Sequence, residues 1–185
     1  MITPVDYIGD SQMVILVMGI EGTGKTTVGK LLAGRLHWEF ADADDFHSAA
    51  NKEKMKQGIP LTDADRAPWL AAIRVQIWRW IAAKENGVIT CSALKQSYRD
   101  ELLSPPDGQA GNADEIKTVY LHGTYALIAE RLRQRHGHFA GEALLSSQFA
   151  TLEEPTDAIS IDVDQTPEQI VDEIMRRLNL ANATR

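Results

Sequence analysis

The sequence predicts an α/β fold built on a five-stranded parallel sheet with helices on both of its faces. Five short apolar segments alternate with segments of helical period along the 185 residues, a length that suits one domain. The first apolar segment, Met13 to Met18, has no polar position, as expected of a strand buried on both faces. A glycine-rich turn then leads into a helix, which is how parallel strands are connected.

The remaining elements are predicted from the same alternation between short apolar segments and segments with helical spacing of apolar residues. A helix is predicted from Lys25, because apolar residues recur at helical spacing up to Leu36. No repeat or linker divides the chain, so one domain is predicted over residues 1–185, with an N-terminal extension at about 1–12 and a small helical lid at about 136–150. The other strands are predicted at residues 38–41, 88–91, 118–121 and 158–161, and the other helices at 49–57, 63–84, 96–103, 125–135 and 167–180.

The net charge argues against a nucleic-acid partner. The chain carries 19 Lys and Arg against 26 Asp and Glu, a formal charge of −7, so its surface field repels polyanions. The densest basic stretch, from Arg131 to His136, is large enough for one polyphosphate and too small for a duplex. A small anionic ligand is therefore predicted.

Composition also bears on the compartment. The longest apolar run is far shorter than the roughly 20 residues of a membrane helix, and Asp6 and Asp10 stand where a secretory signal has basic residues. A single cysteine, Cys91, excludes an internal disulfide and a cysteine-rich zinc site. No membrane association and a cytoplasmic location are predicted.

Residues 19–26, Gly-Ile-Glu-Gly-Thr-Gly-Lys-Thr, match the phosphate-binding pattern G-x-x-x-x-G-K-[ST], the P-loop, between a predicted strand and a predicted helix. Its backbone N–H groups curl around phosphates, Lys25 reaches the β- and γ-phosphates, and Thr26 ligates magnesium. ATP and Mg²⁺ are the predicted cofactors, the alternative being an ordinary glycine-rich turn. The predicted nucleotide-binding residues are Gly19, Ile20, Glu21, Gly22, Thr23, Gly24, Lys25, Thr26, Thr27, Arg131 and Arg135.

Two carboxylates, Asp42 and Asp44, follow the second predicted strand. If the chain is still extended there, residues two apart project to one face, towards the crevice where a phosphoryl acceptor would bind. Because the strand at 88–91 ends in Ser92 and offers no other acid, magnesium is predicted at Asp42 or Asp44, and Asp42 is the one assigned to it. Asp44 is predicted to accept the proton of the attacking hydroxyl, although a solvated acidic turn has the same composition.

Two arginines are predicted to grip the polyphosphate from the opposite side. Arg131 and Arg135 lie four residues apart and so share a helix face, whereas Arg133 points elsewhere. Arg131 is a predicted catalytic residue that stabilises charge on the transferring phosphoryl group, beside a lid hinged at Gly137. A solvated basic helix end is the alternative.

Further segments, between Phe40 and Pro155, carry a pattern that is more specific than the P-loop motif alone. Together they resemble the P-loop gluconokinases in order and spacing from about Val14 to Asp164. Departures from that family's usual residues are Glu21 for Ser, Ala43 for Gly, Ser48 for Pro and Ala140 for Phe. The residues that carry the resemblance include Phe40, Asp42, Asp44, His47, Asn51, Lys54, Asp63, Asp65, Arg66, Pro68, Trp69, Leu70, Ser92, Lys95, Tyr98, Arg99, Arg131, Arg135, His138, Gln148, Phe149, Leu152, Glu154 and Pro155.

The resemblance implies a P-loop kinase fold, a homodimer, and ATP-dependent phosphorylation of D-gluconate at its 6-hydroxyl. A shikimate-like or nucleoside-type acceptor, or a nucleotide-binding module without turnover, remains open as an alternative. Arg66 could instead pair with Asp63 or Asp65, and Asp65 is expected to cap its own helix. The substrate-binding residues that the resemblance implies are Asp44, His47, Arg66, Lys95, Arg99 and His138.

Two side-chain environments are also predicted. Trp69 is expected to pack near the substrate loop, which leaves Trp78 and Trp80 as candidates for a subunit contact. Glu21 places a carboxylate inside a loop that must hold phosphates, where like charges repel. It is therefore expected to face solvent, near Arg135 or another lid residue.

Overall fold

The computed structural model describes residues 12–107, 111–136 and 142–180. At residues 135, 136, 142 and 143 it describes the backbone and not the side chain. The predicted five-stranded parallel sheet is confirmed, with strand order β2-β3-β1-β4-β5. The strands are β1 Val14–Met18, β2 Glu39–Asp42, β3 Gly87–Cys91, β4 Ile116–His122 and β5 Ile159–Asp162. The helices are α1 Lys25–Leu36, α2 Ala49–Lys56, α3 Asp63–Ala83, α4 Gln96–Leu103, α5 Tyr125–His136, α6 Glu142–Thr151 and α7 Pro167–Arg177, with 3₁₀ turns at Ala43–Phe46 and Ala113–Glu115.

Strand β1 lies at the centre of the sheet and is completely buried. Its alternate residues belong to two cores, because successive side chains of a strand point to opposite faces. Leu16 packs in a core with α3 and α4, while Val17 packs in a second core with α1 and α7. Helices therefore cover both faces, as predicted.

Helix α3 differs from expectation in what it buries. Trp78 and Trp80 are 0% and 2% exposed, so they are core residues and the predicted subunit contact through them is wrong. The Trp78 indole N–H donates to the carbonyl of Leu102 at 3.1 Å, and the Trp80 ring lies where a Cβ at Gly87 would be. At the helix start, Asp65 forms a capping box with Thr62, as predicted for Asp65.

The segment after β2 also differs from the extended chain that was assumed for it. Residues 43–46 form a 3₁₀ turn, and the Asp42 carboxylate caps that turn by accepting the N–H of Asp44 at 3.1 Å. Asp42 and Asp44 are thus brought together by this cap, and not by the alternation of side chains along a strand. This places both carboxylates at the carboxyl end of β2, beside the P-loop.

Helix α6 covers residues 142–151, so the second half of the predicted lid segment is helical. Leu145 on α6 is buried with Ile20 and Leu94. Residues 137–141, including Gly137, His138 and Ala140, lie outside the described residues. Across the described ranges, no helix is both long enough and apolar enough to span a bilayer.

Candidate active site

The turn between β1 and α1 forms an open cradle of backbone N–H groups. Gly22 and Gly24 have φ values of 87° and 88°, which glycine adopts without strain. A Cβ at Gly19 would lie 2.5 Å from the carbonyl oxygen of Leu121, so only glycine fits there. Helix α1 starts at Lys25 with no side chain capping its first N–H groups, which leaves them free for an anion.

Lys25 lies inside this cradle. Its ammonium donates to the carbonyl oxygen of Ile20 at 3.0 Å, and the Thr23 hydroxyl donates to the same oxygen at 2.8 Å. Burial lowers the pKa of Lys25, opposed by the negative charge of Asp44. A partly desolvated ammonium facing an N–H cradle is the charge arrangement that a polyphosphate requires.

The Thr26 hydroxyl and the Asp42 carboxylate meet at 2.7 Å at the mouth of the loop. Both are hard oxygen ligands of the kind that Mg²⁺ prefers, and Mg²⁺ commonly takes one or two protein ligands besides phosphate oxygens and water. Among the described residues no group of three or more His, Cys, Asp or Glu side chains could form an all-protein metal site. The pair therefore fits the predicted magnesium position.

Asp44 lies in the 3₁₀ turn, near enough to Lys25 for the two charges to interact. Desolvation and the neighbouring Asp42 charge raise the pKa of Asp44, while Lys25 and His47 act in the opposite direction. A carboxylate with a raised pKa is a stronger base than an ordinary surface aspartate. The environment thus suits the predicted proton acceptor.

His47 lies flat against Trp69, with ring centroids 4.5 Å apart and planes 5° from parallel. The Trp69 indole N–H donates to the carbonyl of Ala43 at 2.7 Å, which ties α3 to the acidic turn and places Trp69 beside it. Burial lowers the pKa of His47, so its ring is neutral at neutral pH. Its Nδ1 atom is buried without a hydrogen-bond partner among the described residues.

Three side-chain donors converge on Asp63, the first residue of α3. Two of them, Arg66 and Lys95, are predicted substrate ligands, and the third is Tyr98. Lys95 donates at 2.9 and 3.0 Å, the Tyr98 hydroxyl donates at 2.5 Å, and the Arg66 guanidinium lies at 3.6 Å. These hydrogen bonds, that of Tyr98 first, lower the pKa of Asp63. The structure therefore places Arg66 and Lys95 together and also shows the predicted ion pair between Arg66 and Asp63.

Arg99 does not lie with this group, which corrects the prediction that it binds substrate. It is 2% exposed, and its guanidinium donates to the carbonyl oxygens of Ala93, Leu94 and Glu153 at 2.9, 3.2 and 2.8 Å. Arg99 thus holds the loop that leads to Lys95. Its helical phase with the buried Leu102 is a sequence signal that could have revealed this role.

On the far side of the cradle, Arg131 of α5 donates to the carbonyl of Val163 at 2.7 Å. The Arg135 side chain and all of His138 lie outside the described residues. Glu21 is half-buried, which differs from its expected solvent-facing position, and its backbone N–H donates to the Gln148 side-chain oxygen at 2.7 Å. Gln148 is a contact of the loop that reasoning from sequence missed.

A parallel sheet with a P-loop after its central strand and a carboxylate facing the P-loop lysine define a P-loop kinase that acts on a small acceptor. A family model for shikimate kinase matches residues 21–179. A probable gluconokinase from Xenopus tropicalis is 44% identical over 173 residues, covering 88% of this chain and 91% of the relative. The chain belongs to the shikimate kinase family and, by this identity, to the gluconokinases.

Other relatives agree with this assignment. A gluconokinase from Gluconobacter oxydans is 44% identical over 165 residues, covering 88% of this chain and 89% of that protein. The crystal structure of a gluconokinase from Sinorhizobium meliloti superimposes with a TM-score of 0.77 at 40% identity, covering 91% and 93% of the two chains. A shikimate kinase from Aquifex aeolicus, at 17% identity and a TM-score of 0.55, shares the fold. The resemblance inferred from the motifs is thus confirmed.

Proposed function

We propose that the protein transfers the γ-phosphoryl group of ATP to the 6-hydroxyl of D-gluconate, giving 6-phosphogluconate and ADP. The observation that carries this proposal is the position of Asp44 in the 3₁₀ turn that Asp42 caps, next to the contact of Asp42 with Thr26 of the P-loop. Gluconokinases from several organisms at about 40% identity or more support the choice of acceptor.

The nucleotide binds through the cradle. Backbone N–H groups of the loop and of the first turn of α1 hold the phosphate oxygens. The Lys25 ammonium has three donors, so it reaches the β- and γ-phosphates while one of them stays on the Ile20 carbonyl. Thr26 and Asp42 would hold Mg²⁺, which would neutralise negative charge on the phosphates. Arg131 exchanges Val163 for the phosphoryl group. Arg135 stays a predicted contact of the nucleotide, and His138 a predicted contact of gluconate.

The acceptor hydroxyl is activated by Asp44. Its carboxylate accepts a hydrogen bond from the 6-hydroxyl, orients the oxygen in line with the γ-phosphorus, and takes the proton as the new bond forms. Negative charge that develops on the equatorial phosphoryl oxygens is stabilised by the Lys25 ammonium.

The other end of gluconate is a carboxylate, which needs cationic donors. Arg66 and Lys95 supply them, and their ion pairs with Asp63, which bring the two cations together, support this assignment. His47 is the remaining described residue that the resemblance implies for gluconate, and we assign it to the hydroxyl groups between the two ends. Arg99 acts indirectly, by fixing the loop that carries Lys95.

A coupled assay of ADP release with a panel of acceptors tests the proposal. Turnover with D-gluconate and little with glucose, shikimate or nucleosides is the expected result. Preferred turnover of shikimate would contradict the choice of acceptor, and nucleotide binding without turnover of any acceptor would contradict the reaction.

We also propose a homodimer that works in the cytoplasm, where ATP is supplied. The resemblance to gluconokinases supports the dimer, and the single cysteine, Cys91, which is buried and unpaired, is compatible with a reducing compartment. Sedimentation equilibrium tests the first statement and cell fractionation the second.

A further inference from the structure

Helix α6 carries a segment of the gluconokinase-like pattern that the proposed reaction does not use, Gln148 with Phe149 and Leu152. The helix packs against a hydrophobic core. Leu145 is 1% exposed in a core with Ile20 of the P-loop, and Phe149 and Leu152 pack against that core. The position of Gln148, one turn after Leu145 on the same helix, is therefore set by packing.

The Gln148 side-chain oxygen accepts the backbone N–H of Glu21 at 2.7 Å. That N–H belongs to the peptide unit that joins Ile20 to Glu21. The carbonyl oxygen of the same unit accepts the Lys25 ammonium at 3.0 Å and the Thr23 hydroxyl at 2.8 Å. One peptide unit thus contacts Gln148 on one side and the catalytic lysine on the other.

A trans peptide unit is planar, and its N–H and C=O bonds point in opposite directions. Fixing the N–H therefore fixes the direction of the carbonyl. Without an acceptor at the Glu21 N–H, the unit could rotate about its two flanking single bonds, ψ of Ile20 and φ of Glu21, and only the Lys25 and Thr23 bonds to its carbonyl would oppose that motion. Rotation would turn the Ile20 carbonyl away from Lys25 and change the curl of the cradle.

We propose that Gln148 is a positioning residue for Lys25: it holds the peptide unit between Ile20 and Glu21 so that the loop and its lysine are ordered before nucleotide arrives. The proposal rests on the nucleotide-binding part of the proposed function and not on the identity of the acceptor. Ordering the loop in advance lowers the entropy that binding must lose, so the effect belongs mainly to nucleotide affinity.

Calorimetric titration with ADP and Mg²⁺, without acceptor, tests this role. Gln148→Met has similar length and no oxygen, and it is expected to weaken ADP binding by about three- to tenfold, the range of one net hydrogen bond. Gln134→Met is the matched control, because Gln134 is exposed on α5 and bonds only Glu130 among the described contacts. The control is expected to bind ADP like the native protein, and an equal loss in the control would overturn the proposal.

A double-mutant cycle with Lys25→Met separates positioning from packing. If Gln148 acts through Lys25, Gln148→Met should change ADP affinity by less than about twofold once Lys25 is replaced, since coupled residues are not additive. An undiminished effect in that background would overturn the proposal. Gln148→Asn, which is too short to reach Glu21, should match Gln148→Met, and native affinity in Gln148→Asn would show that the hydrogen bond does not matter and would overturn the proposal.

The outcomes of these titrations are independent of the acceptor. Absence of gluconate turnover by the native protein would contradict the proposed function and leave the ADP titrations valid. In turnover, Gln148→Met is expected to raise the KM for ATP by the same three- to tenfold while kcat falls less. The reverse split, with an unchanged KM for ATP, would contradict the role of Gln148 in ordering the loop.

Discussion

The two ends of the site are built in different ways. The nucleotide end is one continuous segment, residues 19–26, in which backbone N–H groups and close packing against the sheet set the geometry. The acceptor end is assembled from side chains of separate elements, with His47 after the 3₁₀ turn, Arg66 on α3 and Lys95 before α4. A backbone site tolerates unusual side chains such as Glu21, whereas a side-chain site depends on each residue that forms it.

Asp44 links the two ends, so its replacement should have the largest effect. Asp44→Asn keeps the shape of the side chain and cannot take the hydroxyl proton, and it is expected to lower kcat by about 10²- to 10⁴-fold with ADP affinity retained. Asp45→Asn, in the same turn, is the control and should remain active. Because the pKa of Asp44 is raised, the native kcat should fall on acidification at a higher pH than for an ordinary aspartate. A pH-independent native kcat would contradict the assignment.

Lys25 tests the nucleotide end alone. Lys25→Ala should lower kcat by about 10²-fold or more, because its ammonium stabilises charge that grows in the transition state, while the circular dichroism spectrum stays native. Lys30→Ala, exposed on the same helix, should leave kcat unchanged. Near-native turnover of Lys25→Ala would mean that the loop does not act as a catalytic P-loop.

Arg99 tests whether the acceptor end depends on buried scaffolding. Arg99→Met removes the donor of three backbone carbonyls, so urea denaturation should show a loss of about 2–3 kcal/mol of unfolding free energy. The KM for gluconate should change by less than about threefold, because the side chain does not face the acceptor. Arg133→Met, at an exposed position, should cost little stability. A stable Arg99→Met protein with a large rise in that KM would restore Arg99 as a ligand.

Asp42 lies between the two ends of the site, and its replacement tests the assignment of this residue to magnesium. Asp42→Asn weakens the support of Thr26 and should raise the Mg²⁺ concentration for half-maximal rate by about 10- to 100-fold, with recovery at high Mg²⁺. It also removes a charge that raises the pKa of Asp44, so the acid limb of the rate profile should move to lower pH. If high Mg²⁺ instead rescued Asp44→Asn and not Asp42→Asn, the two roles would be exchanged.

Glu21 should give the smallest effect. Its carboxylate repels phosphate charge, and Glu21→Ser is expected to lower the KM for ATP by less than about tenfold, with a smaller improvement at high salt. Glu85→Ser, exposed at the amino end of β3 and away from the loop, should leave that KM unchanged. A larger improvement that salt does not affect would show that Glu21 opposes the phosphates from a desolvated position.

The backbone geometry of the nucleotide end was predictable from the sequence because its residues are contiguous and the P-loop motif specifies the course of the backbone. The five parallel strands and the helices on both faces also followed from period and turns, whereas the strand order did not. The acceptor end was less predictable, since contacts such as Lys95 with Asp63 join residues far apart in sequence. Arg99 was predicted as a ligand from the resemblance alone, and only its tertiary carbonyl partners show why this charged residue is buried.

The central position of β1 has a consequence for the order of folding. Its first neighbour in space, β3, and its second, β4, come later in the chain, β4 by about a hundred residues, so both pairings close long loops. Gly19 at the end of β1 lies directly against the carbonyl of Leu121 in β4. A ribosome therefore releases the phosphate-binding residues early, yet they cannot take their final form until the middle of the chain has emerged.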